Sequence, residues 1–226
     1  MVPMSHSRGF DIAAAQAHLV RRDRKLTRWL ARIEPFRVLP QWHEPFDPVD
    51  ALARSICYQQ LSGKAAATIV GRLVNALETD RLHAAALDRL DDPALLACGL
   101  SRNKLRALRD LAEHERRGEI PSVAEMAGMS DQAIIDTLVK VRGIGRWTVE
   151  MLLIFRLGRP DVLPIDDRGV RKGIGIVDAL DEVPTPGALA VRGERWAPFR
   201  SFAALVLWRI ADLGTDAAGK ARRPQG

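Results

Sequence analysis

Leu138-Val139-Lys140-Val141-Arg142-Gly143-Ile144-Gly145-Arg146-Trp147-Thr148-Val149 is the stretch that decides the fold. Before its glycines, Ile134, Ile135, Leu138 and Val141 are spaced like the inner face of a short helix. After them, Val149, Met151, Leu152, Ile154 and Phe155 have the spacing of a second. Gly143 and Gly145 free the backbone for positive φ and leave no side chain over their amides. Successive N–H groups can then point outward at the start of the second helix, which makes an anion site. Lys140, Arg142 and Arg146 add positive charge around it. The same two glycines also serve a plain corner between helices, with geometry as their only purpose.

Working outward, Leu163-Pro164-Ile165-Asp166-Asp167 follows, and Arg168-Gly169-Val170-Arg171-Lys172 opens another helix. Either acid can cap that helix, and either can face a ligand. Upstream, Ser62 can cap a helix running through Ile69, Leu73 and Leu77, so Tyr58-Gln59-Gln60-Leu61 sits at a corner between two helices. Gln59 and Gln60 there can cap backbone groups or face outward. Downstream, Trp196, Pro198, Phe199, Arg200 and Ser201 lead into an apolar helix bearing Phe202, Leu205, Val206 and Trp208.

Hairpin, acid pair, corner and terminal aromatic helix together closely resemble the helix-hairpin-helix superfamily of DNA base-excision glycosylases, best of all its alkylpurine (3-methyladenine II type) branch. The resemblance covers roughly 47–213. It implies an all-α, two-lobed fold, without the N-terminal β-rich domain of some larger bacterial relatives. It also implies cleavage of the bond between a damaged base and its deoxyribose. Asp167 takes the catalytic position, with Asp166 as a cap or support. Because the sugar passes through an oxocarbenium-like state, an ionised carboxylate lowers the barrier or positions the attacking water. Strand-cutting members carry a lysine where this chain has Trp147, and an indole cannot form a Schiff base, so a monofunctional enzyme is expected. Trp147, Trp208 and Tyr58 become base-pocket candidates, with Trp208 and Phe202 equally readable as core and a core place at the helix start the lesser alternative for Trp147. Gln60, with Leu61 beside it, is the candidate to fill the gap left by a flipped nucleotide. Gly143, Gly145, Arg146, Lys140, Arg142 and Thr148 are candidate DNA contacts. A monovalent cation, Na+ or K+, is implied at the main-chain carbonyls of Val139, Val141 and Gly143. No other cofactor is required.

The rest of the chain sets bounds. The formal net charge of +6 in 226 residues suits a polyanionic partner. Cys57 and Cys98, the only two cysteines, allow neither a disulfide framework nor the four-cysteine iron–sulfur cluster of several related repair glycosylases. No apolar run is long enough for a signal peptide or a membrane span. The expected setting is therefore cytoplasmic, on the nucleoid DNA if bacterial, with double-stranded DNA containing alkylated bases as partner and a monomer as the working unit.

Residues 1–10 read as a flexible leader and 214–226 as a flexible basic tail. Between them lies a helical core, 11–213, with a middle lobe at about 50–165. One helix is expected over 11–33, a loop over 39–48, a helix capped at Asp47-Pro48, one amphipathic stretch over 82–96 with a start at Asp92-Pro93, and helices opening at Ser101 and Ser130. Lys104 makes a backbone contact or charges a helix face. Two other functions stay open at this level: a helix-hairpin-helix module that binds DNA without catalysis, and a glycosylase for another base lesion.

Overall fold

The computed structural model describes residues 8–213, and within them every regular element is helical. In chain order the α-helices are α1 (Ile12–Arg22), α2 (Arg24–Leu30), α3 (Pro48–Tyr58), α4 (Gly63–Leu77), α5 (Ala84–Leu87), α6 (Asp92–Ala97), α7 (Arg102–Arg116), α8 (Val123–Gly128), α9 (Asp131–Leu138), α10 (Arg146–Phe155), α11 (Arg168–Asp178), α12 (Pro186–Gly193) and α13 (Arg200–Leu213). Short 3-10 turns lie at Pro40–Trp42 and Glu194–Trp196. No helix among the described residues is long and apolar enough to cross a membrane. The expected tail at 214–226 and the first seven residues of the expected leader lie outside the described residues.

These residues form two compact units, 44–149 and 8–43 with 150–213; the division falls inside α10, ahead of the position near 165 read from the sequence. In the first unit, side chains cap nearly every helix start. Asp47, Ser62, Asp91, Ser101, Ser122 and Ser130 each accept the backbone N–H three residues on. The 82–96 stretch holds two helices, α5 and α6, and the start read at Asp92-Pro93 is that of α6, capped by Asp91. The sequence reading passed over α8, whose Ser122 and Glu125 form a reciprocal capping box.

His83, just before α5, ties three elements together. Its Nδ1 lies 2.5 Å from Glu115 Oε1 on α7 and its Nε2 lies 3.3 Å from Asp47 Oδ2 at the start of α3, while Glu115 Oε2 accepts the Ala84 amide. Burial works against the charged ring, but the carboxylates of Glu115, Asp47 and Asp50 outweigh it and hold the pKa above the usual 6.5. A raised folded pKa contributes stability that is fully present below the unfolded value and is lost as pH rises through the folded one. The melting midpoint should therefore fall between pH 6 and pH 8.5, and less steeply in His83→Gln. Equal slopes in thermal scans of the two proteins would refute the assignment.

The second unit is built on α11 lying against α13. Val170, Ile174, Phe202, Ala203, Val206, Leu207 and Ile210 form one buried cluster with Leu19 of α1 and Leu26 of α2. The approach is close because position 173 is glycine: a Cβ there would sit 2.2 Å from the Leu207 carbonyl oxygen. The single helix expected over 11–33 is broken at Asp23, which is 2% exposed. Its Oδ1 caps α2 through the Leu26 amide, and its Oδ2 accepts from the Arg192 guanidinium and from Trp196 Nε1. Burial alone would raise the Asp23 carboxyl, but Arg192, the Leu26 amide and Trp196 together hold it below the ordinary range. A side chain so anchored dictates the backbone turn, against the apolar period of the stretch.

The end of the expected leader is corrected as well. Arg8 donates to the Arg156 carbonyl, and Phe10 lies 4.7 Å from Trp42, ring centre to ring centre. Trp42, placed in a loop by the sequence reading, is 1% exposed and donates its indole N–H to the Ile154 carbonyl at 2.8 Å.

Candidate nucleic-acid interface and candidate active site

In the first unit the hairpin turn is pinned by two inward side chains. Val141 and Ile144 are buried at 1% and 4%, while Lys140, Arg142, Gly143, Gly145, Arg146 and Trp147 between and beyond them are exposed. The Ile144 amide donates back to the Val141 carbonyl, and the Arg142 amide donates to Asp110 Oδ2 of α7 at 2.7 Å. None of these bonds uses the amides of Gly143 and Gly145. The two glycines have different reasons to be there. Gly143 has φ +80°, and a Cβ on it would meet Ala107 at 3.1 Å. Gly145 has no positive φ, contrary to expectation; a Cβ there would meet nothing, so its side is open for an incoming group. The Gly145 carbonyl accepts from the amides of Thr148 and Val149, which starts α10. An anion seated here meets N–H groups, a helix start and three exposed cations together.

Thr148, grouped with the DNA contacts on sequence, is only 8% exposed. It is four residues after Ile144 and four before Leu152, so the helical period turns it onto the buried face. Trp147, one residue earlier, is 48% exposed, which removes the reading of it as core. Of the three carbonyls implied for a cation, that of Val141 accepts from Ile144 and that of Gly143 accepts from Gln59 Nε2 at 2.8 Å. A carbonyl oxygen has a second lone pair, so the set still suits a hard monovalent cation, with two of its members shared.

The Tyr58–Leu61 corner is a tight turn, closed by the Leu61 amide on the Tyr58 carbonyl at 3.3 Å. Gln59 has φ −53° and ψ 134°, and Gln60 has φ 57°, the pattern of a type II turn with a non-glycine residue in its left-handed position. Tyr58, Gln60 and Leu61 are exposed. Beneath the corner, Lys104 Nζ donates to the Cys57 carbonyl at 2.7 Å, so its role in the protein is a backbone contact.

In the second unit Asp167 itself is the N-cap of α11, the role that the sequence reading gave to Asp166. Its Oδ1 accepts from the Val170 amide at 2.8 Å and from Trp208 Nε1 at 2.8 Å, while Asp166 is exposed. The cap thus falls on the same carboxylate that the resemblance makes the catalytic candidate, because only the second acid is in register with the amide three residues on. Trp208 is half-buried and stacks on Phe155, with ring centres 5.5 Å apart. Gly169 makes this possible: a Cβ there would lie 2.8 Å from the Trp208 ring and 3.1 Å from Asp167 Oδ1. No sequence motif marks it. Its one signal was a glycine in a helix's first turn, where it costs stability unless something packs against it.

A glycine-turn hairpin with cations around it, followed by an aspartate fixed at the next helix start, defines the helix-hairpin-helix class. The model of the HhH-GPD superfamily base excision DNA repair protein matches residues 53–198, and the chain belongs to that superfamily. The chain is 34% identical to the "DNA-3-methyladenine glycosylase 1" of Schizosaccharomyces pombe, over 90% of this chain and 89% of that protein. The solved structure of the Schizosaccharomyces pombe 3-methyladenine DNA glycosylase in complex with abasic DNA superposes with a TM-score of 0.75, covering 86% of this chain and 95% of that one. A DNA-3-methyladenine glycosidase from Bacillus halodurans superposes with a TM-score of 0.78 at 32% identity, covering 87% and 88%.

Proposed function

We propose that the chain is a monofunctional DNA glycosylase that takes alkylated purines such as 3-methyladenine and 7-methylguanine out of duplex DNA and hydrolyses the bond to deoxyribose, leaving an abasic site. The observation that carries this is the Asp167 carboxylate, held by the Val170 amide and the Trp208 indole in a chain of this superfamily. An alkyl group on N3 or N7 already places positive charge on the base, so the glycosidic electron pair leaves with the base without a strong general acid. The sugar left behind has oxocarbenium character, which the ionised Asp167 stabilises. Water then bonds to C1′, and the proton it loses passes to solvent. Trp147, exposed at the start of α10, offers a face for stacking on a cationic purine and has no amine with which to cut the strand. The amides of Gly143 and Gly145 take a backbone phosphate, with Lys140, Arg142 and Arg146 around it. A monovalent cation, where bound, would be held by the carbonyls of Val139, Val141 and Gly143 and would add positive charge beside that phosphate.

Gln60 and Leu61 fill the stack when the base leaves it. Gln60 occupies the left-handed region at a cost of about 1 kcal/mol, a strain of the kind found where function needs a side chain. Gln60→Gly should leave the melting midpoint unchanged or raise it by about 2–4 °C, while slowing base release. A lower midpoint in thermal scans, or unaltered release, would count against that role.

The test of the function is base release from methylated duplex DNA, with chromatography of freed bases and a gel for strand breaks. Free 3-methyladenine or 7-methylguanine with no breaks before alkali is the expected result. Tight binding without release would leave a DNA-binding module or a glycosylase for another lesion. We further infer a monomer acting in the cytoplasm, checked by light scattering with and without a duplex.

A further inference from the structure

Two features of the first unit that would meet DNA at separate points, the hairpin turn and the Tyr58–Leu61 corner, are joined by one side chain. Gln59 Nε2 donates to the Gly143 carbonyl at 2.8 Å across 84 residues of sequence. Around this link, both partners are held. Lys104 fixes the last turn of α3 through the Cys57 carbonyl, and Asp110 fixes the hairpin through the Arg142 amide. The residue after Gln59 is the one in the left-handed region, and the residues flanking it, Tyr58 and Leu61, are exposed at 43% and 40%. A strained turn keeps its conformation only where its surroundings over-determine it. Gln59 is the tie between that turn and the anion-binding backbone.

We propose that Gln59 is a positioning residue that keeps the groove-facing corner in register with the hairpin, so that gripping a phosphate and filling the base stack occur as one event. This rests on the reading of the corner and hairpin as DNA contacts given above. The bond is at the surface and between neutral groups, so it adds little to global stability. What it fixes is the distance between two contact points, and a small misplacement of such groups is expensive in rate although cheap in folding.

The test uses the full chain, with Gln59→Leu, which keeps approximate volume and removes the donor, and Gln59→Glu. Binding is measured to an intact duplex and to the same duplex carrying a tetrahydrofuran abasic analogue, beside single-turnover base release from methylated DNA. The expected result for Gln59→Leu is an unchanged melting midpoint, unchanged affinity for the intact duplex, and a loss of about tenfold in the preference for the abasic analogue. Gln59→Glu, whose carboxyl can donate to Gly143 only when protonated, should regain part of that preference relative to wild type as pH is lowered from 7 through the ordinary glutamate range to about 4. Full preference in Gln59→Leu overturns the proposal, as does a wild type with no preference at all. Should Gln59→Leu fold poorly, the pH response of Gln59→Glu decides: a flat ratio to wild type overturns the proposal and a rising one supports it. Loss of preference in a chain whose wild type releases no methylated base would uphold Gln59 and refute the glycosylase reading. Base release with preference intact in Gln59→Leu would do the reverse.

Discussion

Asp167→Asn is expected to lower single-turnover release of alkylated bases by about 100-fold or more, with duplex affinity and melting midpoint close to wild type. This variant separates the cap seen in the structure from the proposed catalytic charge. As a cap, Asp167 needs only an acceptor oxygen for the Val170 amide and the Trp208 indole. Asparagine supplies that oxygen and ranks with aspartate as an N-cap. What it lacks is the negative charge that a cationic sugar requires. A folded variant that binds DNA and does not cleave therefore isolates the charge. Release within a few-fold of wild type would transfer the catalytic role to another group. A collapse in the midpoint would make Asp167 a structural cap first.

Gly173→Ala should damage the second unit through a single added methyl group. Alanine is favoured over glycine within a helix by about 1 kcal/mol. Here the added carbon would sit 2.2 Å from the Leu207 carbonyl oxygen and 2.7 Å from its carbon, both backbone atoms that cannot rotate away. α11 and α13 must part to admit it, and overpacking of this kind costs about 1–3 kcal/mol beyond the helix gain. The midpoint should drop by about 5–10 °C in a thermal scan. Activity should fall further than stability alone explains, because Trp208 follows Leu207 on α13 and holds Asp167 on α11. A midpoint within about 1 °C of wild type would show that the two helices separate at no cost.

Several sequence expectations failed for a common reason. Asp23 sits in a run whose apolar spacing favours one helix over 11–33, yet its buried bonds to Arg192 and Trp196 break that helix in two. Thr148 belongs to the hairpin string by sequence but faces inward by helical period. In each case the deciding partner is far along the chain or one turn away on another face.

The sequence by itself determined the all-helical class, the caps at Asp47, Ser62, Ser101 and Ser130, the hairpin with its outward cations, and the acid pair after it. Those signals act within one or two turns of backbone, where a side chain, a glycine or a proline sets the local hydrogen bonds. Tertiary structure alone decided that Trp208 donates to Asp167 over Gly169, that Gly173 lets α13 close on α11, and that Gln59 reaches Gly143. These depend on the shape and donor geometry of segments tens of residues away, which become neighbours only when apolar faces are buried together, and no local pattern of residue types encodes that approach.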